Sequence, residues 1–279
     1  MKKKKKSLLW QIDHSALARP SFLFGTMHVR DEQAFRFLDT VHYYLDQCDA
    51  LATEYKVDEQ PSPELATAML LPDHQHIVHY LRPKQYQKLK AILQKAFGLN
   101  IDRYGHFKPL MIINIISEKL LQKDRPQALD LHLWQYAGDI GKTQLGIETL
   151  NEQLRILQSI PLEQQFQQLR SLGQNVRKFR RATLKNAAVY QFNDPQRIYR
   201  LVRNSSHGLR KLLLFRRNHI MAERIEKLIR EQPTFCAVGA GHLSGKEGLI
   251  RLLKQRGFQL RPLPMTGLPA AKRHSGDPA

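Results

Sequence analysis

Two segments of this chain end in the same way. Ser21-Phe-Leu-Phe-Gly-Thr-Met-His28 is an apolar run, a glycine, and a histidine three residues later. Thr234-Phe-Cys-Ala-Val-Gly-Ala-Gly-His242 repeats the arrangement one residue longer. Each reads as a strand closed by a Gly-x-x-His turn, with Gly25 in the first copy and Gly239 and Gly241 in the second. Glycine at such a turn lets the backbone bend sharply and approach a ligand closely. Two further apolar runs end in carboxylates, Ala50-Leu-Ala-Thr-Glu54 and Gln144-Leu-Gly-Ile-Glu148. A buried strand ending in glutamate is costly unless the charge is paired or metal-bound. A lone Gly-x-x-His is common, and a terminal Glu serves as readily as a helix cap or an arginine partner. The repetition is what favours a shared site.

Open α/β sheets bind ligands outside the carboxyl ends of their strands. The four side chains therefore read as two halves of one pattern, His28 with Glu54 and Glu148 with His242. Two imidazoles and two carboxylates suit Mn²⁺, Co²⁺ or Zn²⁺, and an open coordination position would hold a water of lowered pKa. The two cysteines, Cys48 and Cys236, are too few for a disulfide framework or a Cys-rich zinc site.

The elements that must carry these groups follow from hydrophobic spacing. Ser7–Ile12, Ser21–Gly25, Ala50–Tyr55, Thr143–Ile147, Thr234–Val238 and Phe258–Leu263 read as strands. Glu32–Cys48 has helical spacing at Phe35, Leu38, Val41 and Leu45. Helices opened by prolines cover Lys84–Phe97, Pro109–Leu121 and Pro126–Ala137. Residues 151–230 are helical, broken near Pro161 and at Asn193–Pro195, with one run over Leu209–Ile229; a final helix covers Gly245–Arg256. The expected fold is α/β. A mixed central sheet is built from two related strand–Gly-x-x-His–helix halves within one domain over residues 7–263. Helices fill about 60–140 and about 151–230, and residues 1–6 and 264–279 are tails.

The chain has 279 residues and a formal net charge of +19. Most of that excess lies after residue 162, where 23 basic residues face 7 acidic ones. Such a balance attracts polyanions in general. No zinc knuckle or aromatic stacking motif accompanies it, so a solvated basic helical face is favoured over a nucleic-acid partner. No apolar run approaches the ~20 residues of a membrane span. Lys2–Lys6 resembles the start of a signal peptide, but the apolar stretch behind it is only Leu8–Trp10. The expectation is a cytoplasmic protein.

Taken together, four stretches resemble the TraB/GumN family, which is related to the TIKI proteins and more distantly to erythromycin esterase and ChaN-type domains. They are Phe22-Leu-Phe-Gly-Thr-Met-His-Val29, Leu145-Gly-Ile-Glu-Thr-Leu-Asn-Glu-Gln153, Arg217-Asn218 with Met221-Ala-Glu-Arg-Ile225, and Val238-Gly-Ala-Gly-His-Leu-Ser-Gly245. The resemblance runs from Leu8 to Leu263. It implies an α/β core with a helical insertion, and a proposed metal-dependent hydrolase site falling on His28, Glu54, Glu148 and His242. TIKI proteins are described as metalloproteases active with Mn²⁺ or Co²⁺. Arg217 and Asn218 match the family's Arg-Asn pair, and Asp130 matches a further position. An arginine beside a metal could bind a substrate carboxylate or an oxyanion.

Two patterns read as decoys. His74, His76 and His79 have chelating spacing but fall in a loop-to-helix transition. Gly245-Lys246 lacks the Ser/Thr of a phosphate loop, since Glu247 follows. The reading is a metal-dependent hydrolase, with a peptidase as its specific form and a peptide or small molecule as substrate. One glutamate serves as general base rather than ligand. The alternative is a non-catalytic protein that sequesters a peptide or anionic ligand in the same crevice.

Overall fold

The apolar runs pair as one six-stranded sheet in a computed structural model that describes residues 6–15, 17–121, 124–205 and 214–265. The strands are β1 Leu9–Asp13, β2 Ser21–Thr26, β3 Ala50–Thr53, β4 Thr143–Gly146, β5 Thr234–Gly239 and β6 Gln259–Pro262, in the order β4-β3-β5-β2-β1-β6. β2, β5, β3 and β4 run parallel, and β1 is antiparallel to both β2 and β6. Phe22, Leu23 and Phe24 are fully buried, as a strand covered on both faces requires. The late strand β5 lies between β2 and β3, so the two halves interleave rather than sit side by side. Thr26 stands opposite Gly239 and Thr53 opposite Gly146. Residues that follow these strands therefore emerge along one edge.

The helices are α1 Glu32–Phe35, α2 Leu38–Asp46, α3 Pro63–Ala66, α4 Pro83–Phe97, α5 Pro109–Leu120, α6 Leu129–Asp139, α7 Leu150–Gln158, α8 Leu162–Gln174, α9 Val176–Val189, α10 Pro195–Ser205, α11 Arg216–Glu231 and α12 Leu249–Gln255. The sheet core takes side chains from α2, α6, α11 and α12. A separate helical core joins α4 and α5 with α8, through Leu89, Leu93, Ile112, Phe166 and Leu169. α6 thus belongs to the sheet, although it falls within the stretch expected as insertion.

Two expected helices are shorter than their spacing implied. The helix expected over Glu32–Cys48 breaks at Phe37, whose φ −108°, ψ 11° is not helical. Phe35 and Phe37 are both buried. Residues two apart cannot share one helix face, so the break lets both side chains enter the core. The last helix starts at Leu249 rather than Gly245, because Gly245 has φ +108°. Residues 1–5, 209–213 and 266–279, which include most of the expected tails and the start of one expected helix, lie outside the described residues.

Gly25 is constrained by space. A Cβ there would stand 2.6 Å from Leu243 Cδ1 and 3.0 Å from Ala240 Cα. The glycine lets β2 press against the turn that carries His242. The buried Tyr190 hydroxyl donates to the Gly25 carbonyl at 2.7 Å. Gly25→Ala should therefore lower stability by about 1–3 kcal/mol through overpacking. Tyr190→Phe should cost about 1–3 kcal/mol by stranding a buried acceptor. Urea midpoints equal to wild type in both variants would contradict this account.

Candidate active site

The parallel edge gathers the residues singled out by the sequence, but their contacts run across the two halves. Glu54 follows β3. Its Oε1 accepts the Gly239 N–H at 2.7 Å and lies 3.7 Å from His242 Nε2. Glu148 follows β4 and meets Arg217 instead. Arg217 Nη2 donates to Glu148 Oε2 at 2.6 Å and to Glu54 Oε2 at 2.7 Å, and its Nε reaches both Glu148 oxygens at 3.1 Å. His28 follows β2 and places Nδ1 3.0 Å from Asp130 Oδ2 on α6. His28 and Glu54 line a cavity of about 280 Å³, with Thr26, Thr53, Asp130 and Gln153 among its other walls.

Each position has a local cause. Thr149 caps α7 in a reciprocal box with Glu152, which turns the chain directly after Glu148. That turn brings Gln153 back over the carboxylates. Its Nε2 donates to Glu54 Oε2 at 3.2 Å and Glu148 Oε2 at 3.4 Å. Gln153 was legible within the family-like stretch but carried no chemical signal of its own. Gly239 and Gly241 are needed for room and not for an unusual backbone, since neither has positive φ. A Cβ on Gly239 would stand 2.9 Å from Glu54 Oε1, and one on Gly241 would stand 3.2 Å from Val202 Cγ2.

The amide of Asn218 assigns the proton on His242. Asn218 Nδ2 donates to the Glu247 carbonyl at 2.5 Å and to the His242 carbonyl at 3.4 Å, so its Oδ1 faces His242 Nδ1 at 2.5 Å. An oxygen there requires Nδ1 to carry hydrogen. In neutral His242 the Nε2 lone pair then faces the Glu54 carboxylate at 3.7 Å. Burial pushes the His242 pKa down to about 4, so the neutral form holds at physiological pH. Burial alone would raise Glu54, but the His242 charge where that ring carries its proton, the Arg217 guanidinium and the Gly239 N–H lower it. Burial pushes the Glu148 carboxyl up, with Arg217 working against that push. Burial disfavours the Arg217 charge as well, yet the hydrogen bonds and charges of both glutamates outweigh it and raise its pKa. For His28 the hydrogen bond to Asp130 outweighs desolvation and raises its pKa.

These donors fit a divalent cation in kind and orientation. Two ligand atoms about 2.1 Å from one tetrahedral ion stand about 3.4 Å apart, close to the observed His242–Glu54 separation. Both histidines have Nδ1 held by a side-chain oxygen, the arrangement that orients metal-binding imidazoles. Two carboxylates against one guanidinium leave the buried cluster with a net negative charge. The third donor is not assembled: among the described residues no three His, Cys, Asp or Glu side chains stand close enough to hold an ion.

The histidine-rich decoy is local structure. His76 Nδ1 accepts the Val78 N–H at 3.2 Å, and His79 Nδ1 accepts the His76 N–H at 3.3 Å. These bonds cap a short 3₁₀ turn and leave no convergent set. Among the described residues, no helix is long and apolar enough to cross a membrane.

Metalloprotease TIKI2 of Danio rerio is 24% identical, covering 92% of this chain and 61% of its own length. Metalloprotease TIKI1 of Danio rerio is 24% identical, with 98% and 67% covered. A metalloprotease TIKI homolog of Amphimedon queenslandica is 23% identical, with 93% and 62% covered. The chain therefore spans about six tenths to two thirds of these relatives. No solved structure matches it significantly. The family model for TraB/PrgY/gumN proteins matches residues 8–262, a span that contains every residue of the edge cluster, and the chain belongs to the TraB/PrgY/gumN family.

Proposed function

We infer that the protein is a metal-dependent hydrolase acting on peptides. The observation that carries this reading is the bare His242 Nε2 aimed at Glu54 Oε1 across 3.7 Å. Two acceptors facing each other in a buried site are satisfied by a cation or by a donor such as water placed between them, and the family resemblance favours the cation's positive charge. Protonation is a poor source, because burial disfavours imidazolium at neutral pH. A divalent ion supplies the charge, and it also supplies a water of lowered pKa. The N/O donor set suits Mn²⁺, Co²⁺ or Zn²⁺.

In this reading His242 and Glu54 supply two donors to the ion, and His28, which lines the same cavity as Glu54, would have to move toward them to become the third; the two Nδ1 atoms are fixed by Asn218 and Asp130. Arg217 and Glu148 position Glu54. The guanidinium keeps the Glu54 carboxylate ionised and turned toward His242, while Glu148 offsets the guanidinium's charge. Glu148 is thus the glutamate outside the ligand set. The substrate occupies the 280 Å³ cavity, where Thr26, Thr53 and Gln153 offer hydrogen bonds. The names of the relatives, all metalloproteases, support peptides as substrates.

Calorimetric titration of Mn²⁺, Co²⁺ and Zn²⁺ into chelator-treated protein should give one ion per chain. His242→Ala and Glu54→Gln should abolish that binding and any peptidase activity. Asn218→Ala should weaken it about 10–100-fold by freeing the imidazole. Glu148→Gln should keep the ion and lower turnover, and His76→Ala should change neither. Stoichiometric binding that survives both His242→Ala and Glu54→Gln would refute the metal site. In that case the crevice would be a binding site without metal chemistry.

The pKa shifts set the pH course. Ion binding requires unprotonated imidazoles. The pKa of His28 lies above its usual 6.5, so affinity should first decline as pH falls through that higher value. The remainder should vanish toward pH 4, where His242 takes its proton. One single loss near pH 4 would remove His28 from the ligand set.

A further inference from the structure

A second and larger cavity, about 1050 Å³, lies on the far side of the loop that follows His242. Its apolar walls come from Trp10 on β1, Leu260 on β6, Ile250 on α12 and Tyr199 on α10. The Trp10 indole N–H is bonded to the Ser7 carbonyl at 2.8 Å, which leaves its ring as an apolar surface. Gly245, dismissed as part of a phosphate loop, has a different role here. A Cβ on it would stand 2.5 Å from Tyr199 Cζ, so the glycine lets that ring close the wall.

Basic side chains outnumber acidic ones on the cavity lining, Lys6, Arg203, Lys246, Arg251 and Lys254 against Asp194 and Glu247. Asp194 is paired with Lys6 at 2.6 Å, and Glu247 Oε2 lies 2.8 Å from His219 Nε2. Lys246 and Arg251 have no carboxylate partner among the described residues, and the Lys254 ammonium lies 5.7 Å from the Trp10 ring centre. Cations without partners beside an apolar wall match a ligand that has an anionic head and an apolar body. The volume is at the upper end for a small-molecule site.

We propose that this cavity binds a small amphiphilic anion, a carboxylate bearing an acyl or aromatic body, at a site separate from the candidate active site. Lys246 and Arg251 receive the carboxylate, and the apolar body lies along Trp10 and Ile250.

The test is displacement of the fluorescent probe 1-anilinonaphthalene-8-sulfonate from the full chain, with decanoate as competitor. Decanoate should displace the probe at least tenfold more effectively than decyltrimethylammonium, which has the same chain and the opposite head. From butyrate to decanoate, affinity should rise about threefold or more per methylene. The double variant Lys246→Glu/Arg251→Glu should weaken decanoate at least tenfold while circular dichroism and melting stay as in wild type. The neutral pair Lys246→Gln/Arg251→Gln covers the case in which charge reversal impairs folding. Glu54→Gln should leave decanoate binding unchanged, which separates this site from the metal site. Equal competition by both heads, no chain-length dependence, full binding in the neutral double variant, loss of binding in Glu54→Gln, or no saturable probe binding would each overturn the proposal.

Discussion

Two glutamates share one buried guanidinium, and the edge of the sheet is organised around that sharing. The Glu148 side chain is 2% exposed, that of Arg217 13% and that of Glu54 23%. Carboxylates at such depth are tolerated only when each oxygen is matched by donors. Arg217 reaches both, Gln153 bridges both, and Gly239 closes the last oxygen of Glu54. The result is a carboxylate held ionised beside an imidazole held neutral. That contrast separates the Glu54–His242 pair from a plain salt bridge.

The sheet supplies the convergence. Four parallel strands end at one edge, and β5 lies between β2 and β3, so a late strand delivers His242 next to a glutamate from early in the chain. α11 crosses behind with Arg217 and Asn218 adjacent in sequence. One serves the carboxylates and the other the imidazole, so a single helix sets both partners of the Glu54–His242 pair. The glycines of the two turns are best understood in the same terms. Gly25 and Gly239 lack a Cβ because the Ala240 backbone and the Glu54 carboxylate occupy that space.

The second cavity lies behind the same turn. Asn218 is bonded both to His242 and to the carbonyl of Glu247, which lines that cavity. The loop from Leu243 to Glu247 thus lines the second cavity and is tied to His242 through Asn218. Its glycine at φ +108° gives it a shape that a regular helix would not have.

Much of this was legible in the sequence because it depends on local period and residue type. The strand runs, the helices opened by Pro83 and Pro109, the paired Gly-x-x-His endings and the strand-end glutamates are all near-neighbour patterns that place residues near the edge, whereas the helix expected from Pro126 starts only at Leu129. The partners of those residues were not legible, because partnership depends on strand order and helix crossing. The sequence grouped His28 with Glu54 and Glu148 with His242. Tertiary structure joined Glu54 to His242, gave Glu148 to Arg217, and gave His28 to Asp130 on a helix about a hundred residues away. It also decided that the helix expected over Glu32–Cys48 must break, since both Phe35 and Phe37 enter the core. Burial and partnership decided the rest. Depth keeps His242 neutral, whereas Glu54 stays ionised against its burial because Arg217 and the Gly239 N–H hold its oxygens, and neither depth nor partners can be read from residue type.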